Sequence, residues 1–365
     1  MNRPELLPNF TPPADAGAAP AADAAVGTGR PHESAHLHVA GAAPYTDDLP
    51  ELAGTLHGAL GLSPLAHGVI ESLDLDRVRS LPGVVAVIGH LNSGVSIETA
   101  PIYAAKDIAQ IAISTNPKFT QLGFPTTFRM VANDTLQARA IGSFAATQLG
   151  AARYAALDDG TPYGKGLADG AAEQLKAEKK EVVVRKSFDD KTVAFDELAG
   201  ELKAAKVEVI VSTLNDFQAL ALLEALRKVD HTKVSLLGGD TIKTTDMTKA
   251  MGMVEGVYAT SPVLEAKEFT TGKPFLEKYI EAYKKPPAYG GHYSYDSTYV
   301  LSAAIQKAKS ADPKAITKAM HSINGYAPVI GTMTWDDKGE QRYGAVGVYE
   351  LRSGSWELRM RSDRW

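Results

Sequence analysis

Ser93, Thr115, Tyr163 and Asp240 are polar residues set at turns next to apolar runs. Ser93 follows the run 84–88 and precedes a potential helix, and Thr115 sits in a similar turn. Hydroxyls and free backbone N–H groups at strand-to-helix turns suit a carboxylate, because a helix N-terminus carries partial positive charge. Asp240 closes the run 234–237 after Gly238-Gly239 and offers the anion that a buried ammonium needs. Tyr163 is an aromatic at the turn Thr161-Pro162-Tyr163-Gly164. Each also has a plain structural reading. Ser, Thr and Asp at such positions cap helices, and Tyr163 by itself is a turn aromatic.

Other constellations carry less. His32, His36 and His38 lie close together, and imidazoles ligate zinc. Pro31 and the Ala/Gly/Pro-rich stretch that follows work against a helix presenting them on one face, so a surface segment is the reading and no metal is expected. The glycines of Gly164-Lys165-Gly166 and Gly238-Gly239 lack the spacing of phosphate or dinucleotide loops. The chain has no cysteine, which excludes disulfides, thiolate nucleophiles and cysteine-ligated zinc. No cofactor is expected.

The elements that must position these side chains show in the hydrophobic pattern. The 365 residues are 44% hydrophobic and carry a net charge of -5, so a sizeable core is available and no basic patch points to nucleic acid. No apolar run reaches the ~20 residues of a membrane-spanning helix. Runs at 84–88, 153–157, 182–184, 207–212 and 234–237 read as buried strands, the first buried on both faces. Helical spacing separates them, in Leu167, Ala171 and Leu175, in Phe195, Leu198 and Leu202, and in Phe275, Tyr279 and Tyr283. Strands alternating with helices predict an α/β fold with parallel sheets.

From residue 84 to the C-terminus the chain resembles the Leu/Ile/Val-binding family of periplasmic solute-binding proteins. The phrases that carry the resemblance are VVAVIGHLNSG (84–94), TNPKFT (115–120), FRMVAND (128–134), DDGTPYGKGL (158–167), LLGGD (236–240), YSYD (293–296) and GTMTWDDKG (331–339). The resemblance implies a type I periplasmic-binding-protein-like bilobal fold, with the second lobe centred on about residues 145–260. It implies capture of a branched-chain amino acid (Leu, Ile or Val) for an ABC transporter permease, without chemistry on it. By the same resemblance Ser93 and Thr115 hold the α-carboxylate, helped by backbone N–H groups at Asn92 or Ile113. Asp240 takes the ammonium, and Tyr163 closes over the ligand from the second lobe. There are departures: Ile113, in AIST (112–115), stands where the family has small or hydroxyl residues, and a family tyrosine falls near Leu214 or Asn215. The turn at 335–339 is given no ligand role.

Residues 28–87 resemble a different family, the molybdenum-binding subunit of xanthine dehydrogenase at its α/β-hammerhead start. The phrases are HVAGAAPYTDDLP (38–50), LHGALGLS (56–63), DLDRVR (74–79) and LPGVVAV (81–87). No cofactor-binding or catalytic segment of that family follows, so neither enzymatic activity nor a molybdopterin site is expected. The expected organisation is a disordered lead (1–30), a hammerhead-like fragment (31–83, with strands at 55–62 and 68–75 and a short helix at 76–80) and the binding-protein region (84–365). Its first lobe would be truncated by two β-α units, leaving a chimera joined at the shared phrase 83–87. The N-terminus shows no secretory signal, which leads to an expectation of cytoplasmic residence although the family is periplasmic.

Overall fold

One parallel sheet and one mostly parallel sheet account for most of the strands read from the hydrophobic runs. The structure is a computed structural model that describes residues 57–59 and 83–364. The chain divides into two units, Met1–Gly61 and Leu62–Trp365. Of the first unit only 57–59 are described, exposed and outside any strand, against the strand expected at 55–62. The lead at 1–30, the histidines at 32–38, the strand at 68–75 and the helix at 76–80 lie outside the described residues.

Among the described residues the first sheet has three parallel strands in the order β1 (Ala86–Ile88), β2 (Ala109–Ala112), β3 (Thr127–Arg129). β2 is central and buried along its whole length. Its one polar side chain, Gln110, is held by the Thr99 hydroxyl at 3.0 Å. β1 does not meet the expectation of a strand buried on both faces. It pairs only with β2 among the described residues, and Ile88 at its end is 39% exposed. An apolar run was therefore a sound sign of a strand but not of its place in the sheet. Helix α1 (Ser93–Ala104) joins β1 to β2, and the short α2 (Lys118–Gln121) joins β2 to β3.

The chain then crosses to the second lobe through α3 (Asp134–Thr147), which starts where Asn133 accepts the N–H groups of Thr135 and Leu136. Among the described residues the sheet here has seven strands in the order β12-β11-β8-β7-β6-β4-β5, with β11 at Gly347–Arg352 and β12 at Ser355–Arg361. β4 (Arg153–Asp158), β5 (Glu181–Ser187), β6 (Val209–Thr213), β7 (Ser235–Gly238) and β8 (Gly256–Ser261) run parallel. Between them come α4 (Pro162–Ala177), α5 (Asp196–Ala204) and α6 (Asp216–Lys228). Leu167, Ala171 and Leu175 are fully buried, as are Phe195, Leu198 and Leu202 to within a few per cent, so these stripes do face the core.

Helices α7 (Gly272–Tyr283), α8 (Gly291–Ala308) and α9 (Pro313–His321) follow β8, with the antiparallel pair β9 (Asn324–Ala327) and β10 (Gly331–Thr334). Side chains of α8 and α9 share a core with Ile111 and Phe128 of the first sheet. The chain returns to the second sheet as antiparallel β11 (Gly347–Arg352) and β12 (Ser355–Arg361). On α7, Phe275, Tyr279 and Tyr283 line up as the spacing predicts, but ring against ring, with Tyr283 left 62% exposed. That stripe is a surface ladder and not a core face. Residues 335–339 form the expected turn after β10, where Gly339 donates its N–H to the Asp336 carbonyl at positive φ.

Candidate functional site

Ser93 is the first residue of α1, and Asn92, exposed and extended, takes the cap position without a side-chain cap bond. The plain reading of Ser93 as the cap is therefore not what the fold uses. Its buried hydroxyl oxygen accepts N–H groups from Asn116 (3.1 Å) and Thr115 (3.4 Å). With the oxygen taking two donors, the hydroxyl proton remains to be given elsewhere. Thr115 is also buried, and its carbonyl accepts the Asp134 N–H at 2.8 Å, so the turn after β2 is tied to the start of α3. Ile113 stands half-buried beside Gly290, whose missing Cβ leaves room for the Ile113 methyl.

Asp240 follows β7 and opens a single 3-10 turn, Asp240–Ile242. Donors from three elements converge on it. The Tyr163 hydroxyl, from α4, reaches one carboxylate oxygen at 2.7 Å, and the Gln137 amide, from α3, reaches the same oxygen at 3.1 Å. The Tyr289 hydroxyl, from the loop before α8, donates to the other at 2.9 Å. The ring of Tyr289 is 41% exposed while its hydroxyl points inward between Asp240 and Ser261. Burial, and after it the negative charge of Asp240, hold both phenols well above their ordinary pKa, so they act as donors. Gly239 is required by this approach, since a Cβ there would collide with the Tyr163 hydroxyl.

Asp134, Gln137 and Tyr289 were missed from sequence. Asp134 and Gln137 sit three apart in the first turn of α3 and so share a face, a signal the spacing did contain. Both are buried, and neither Asp134 oxygen nor the Gln137 carbonyl oxygen has a well-formed hydrogen bond among the described residues. Burial pushes the Asp134 carboxyl up to about 8, aided by the charge of Asp240. The Thr115 hydroxyl, too poorly placed for a full hydrogen bond, and Arg129 pull it the other way. Tyr289 had no local signal, because it meets Asp240 only through the fold. Near Leu214 and Asn215 no aromatic substitutes for the family tyrosine: Leu214 is fully buried, and the Asn215 amide points to Asp159 at 3.3 Å.

The two ends of the site meet at the lobe boundary. The Asn116 amide donates to the Pro162 carbonyl at 2.7 Å, one residue from Tyr163, and Gly94 of α1 faces Pro162. Asp134 is bonded to the Thr115 end and acts electrostatically on the Asp240 end. The arrangement thus brings hydroxyl and N–H donors and carboxyl groups to the lobe boundary. A separate cavity of about 30 Å³ among Met130, Phe269, Tyr293 and Arg361 includes none of these residues and has room for about one water. No group of three or more potential metal ligands occurs among the described residues.

Comparison with known proteins agrees with this architecture. A family described as periplasmic binding protein matches residues 76–355, and the chain belongs to that family. Among its relatives is Leu/Ile/Val-binding protein homolog 1 of Brucella abortus, 30% identical over 278 residues, which are 75% of this chain and 73% of the relative. An amino acid binding protein of Pseudomonas aeruginosa is 27% identical over 342 residues, 90% of each chain. The crystal structure of a leucine binding protein from Thermotoga maritima superposes with a TM-score of 0.73 at 24% identity, covering 80% of this chain and 83% of that one. The type I α/β binding-protein fold, mostly parallel in its sheets, is thereby established.

Proposed function

We propose that this chain captures a branched-chain aliphatic amino acid and delivers it to an ABC transporter permease. The observation that carries the reading is the carboxylate of Asp240, on which Tyr163, Gln137 and Tyr289 converge; the buried Ser93 hydroxyl, its oxygen taken by two N–H groups, keeps a proton to donate. Asp240 would take the ammonium. Ser93 and Thr115, with backbone N–H groups at Asn92 or Ile113, would take the carboxylate. Tyr163 would close the cleft, and Ile113 would bound the side-chain pocket. The names of the relatives support an amino-acid ligand. Thermal-shift measurement with L-leucine, L-isoleucine, L-valine, glucose and phosphate tests the ligand class. Stabilisation by the aliphatic amino acids alone is expected, and stabilisation by the sugar or phosphate alone rejects the reading.

A second reading concerns the front of the chain. The ordered phrases shared with xanthine dehydrogenase at 28–87 favour a chimera in which a hammerhead fragment replaces the first two β-α units. Only three strands of the first sheet lie among the described residues. DNA reads spanning the codons of residues 81–90 test it, and the lack of any spanning read would remove the biological fusion.

A further inference from the structure

Arg129 heads the largest fully buried side chains among the described residues, and it lies at the end of β3 beneath the turn that bears Thr115. Its guanidinium donates to the Ser114 carbonyl and, at 2.8 Å, to the Asn116 carbonyl, the two carbonyls that flank Thr115. Two further donors go to Glu340, from Nε at 3.0 Å and from Nη2 at 3.2 Å. Glu340 also accepts the Thr120 hydroxyl of α2. The main chain of Arg129 is fixed as well: its N–H donates to the Gly339 carbonyl at 2.8 Å, and its carbonyl accepts the Trp335 indole N–H at 2.7 Å.

We infer that Arg129, held by Glu340, is a positioning residue for the carboxylate end of the site, acting through the Ser114–Asn116 turn. A trans peptide points its C=O and N–H in opposite directions. Anchoring the Ser114 carbonyl on the guanidinium turns the Thr115 N–H away from it, toward Ser93 Oγ at 3.4 Å. Anchoring the Asn116 carbonyl fixes the residue whose N–H meets the same oxygen at 3.1 Å and whose amide reaches Pro162 across the lobe boundary. The planar fork makes four bonds in fixed directions here, one more than the three N–H groups of an ammonium can donate. Glu340 compensates the charge, so the contribution is geometric and not a net positive field on the ligand.

The inference rests on the amino-acid reading above, and its test has an arm that needs no ligand. Amide hydrogen exchange and L-leucine titration are measured on the full chain, Arg129→Lys and Glu340→Gln. Arg129→Lys keeps the charge, and exchange across residues 112–118 is expected to rise at least tenfold with β4, β6 and β7 unchanged. Its affinity for L-leucine should fall at least tenfold. Glu340→Gln should loosen 112–118 in the same direction by a smaller factor without tightening the ligand. Unchanged exchange at 112–118 in both variants overturns the inference, as does tighter L-leucine binding by Glu340→Gln, which would make the guanidinium a charge source. If Arg129→Lys also loosens β4, Glu340→Gln decides: local loosening supports the role and none rejects it. A parent that fails to bind L-leucine counts against the proposed ligand, and the exchange comparison then decides the role of Arg129 by itself.

Discussion

Asp240 concentrates the chemistry of the site, because three side chains from three elements spend their donors on it. Replacing it with alanine would leave a ligand ammonium desolvated and unpaired, which costs roughly 2–5 kcal/mol. The expected outcome is loss of detectable L-leucine binding by a folded variant whose melting temperature is lowered, because Tyr163, Gln137 and Tyr289 lose their shared acceptor. An affinity within a few-fold of the parent would remove the assignment. Asp134 supplies a different signature. Its folded-state pKa of about 8 lies above the unfolded value, so the folded chain holds a proton that the unfolded chain has released. Stability from this group is complete below the unfolded pKa near 4 and is lost as pH rises through about 8, with a slope of up to about 1.4 kcal/mol per pH unit. Asp134→Asn mimics the protonated form. Its melting temperature relative to the parent should therefore climb between pH 5 and pH 9, and a flat difference would show that Asp134 is ionised throughout. At this scale the sequence told a divided story. Ser93, Thr115, Tyr163 and Asp240 each stand at a turn that the pattern marks, whereas Tyr289 reaches the site across the lobe boundary from a loop with no periodic signal.

Strands and helices were more legible than single residues. The runs at 153–157, 182–184, 207–212 and 234–237 correspond to β4, β5, β6 and β7, with ends shifted by at most three residues. A short apolar run between helices has few alternatives to a parallel strand. β2 and β3 went unread because AQIA and TFR are short and mix polar with apolar residues, and their burial comes from the sheet around them. β1 was read as a strand but misjudged in burial, since a hydrophobic run does not reveal whether a neighbour covers its second edge. Gly239 shows how an element ending can depend on one atom. Gly239→Ala would push the Tyr163 hydroxyl off Asp240 and is expected to weaken L-leucine binding at least tenfold, with a stability cost of about 1–3 kcal/mol. Binding at parental strength in that variant would mean that the Tyr163 contact is dispensable. Hydrogen exchange should likewise separate the sheets. β4, β6 and β7 have partners on both sides, whereas β1 has one among the described residues, so protection at Ala86–Ile88 should be the weaker. Equal strong protection would show that β1 is covered.

At the scale of the whole molecule, two sheets are bridged by hydrogen bonds from residues beside Thr115 and Asp240. The Asn116–Pro162 and Tyr289–Asp240 bonds run between the two lobes. Closure around a ligand would then be felt by both lobes together. Order of phrases along the chain made this architecture readable, since Ser93, Thr115, Tyr163 and Asp240 are each separated from the next by at least one strand or helix. The front of the chain, where phrases of two families overlap at 83–87, was readable only as words and not as a fold. The most direct test of the central claim is isothermal titration calorimetry of the full 365-residue chain with L-leucine. The account predicts a single saturable site near 1:1 stoichiometry, with glucose and inorganic phosphate giving no heat of binding. Absence of any binding heat from L-leucine, L-isoleucine and L-valine by a folded chain would contradict it.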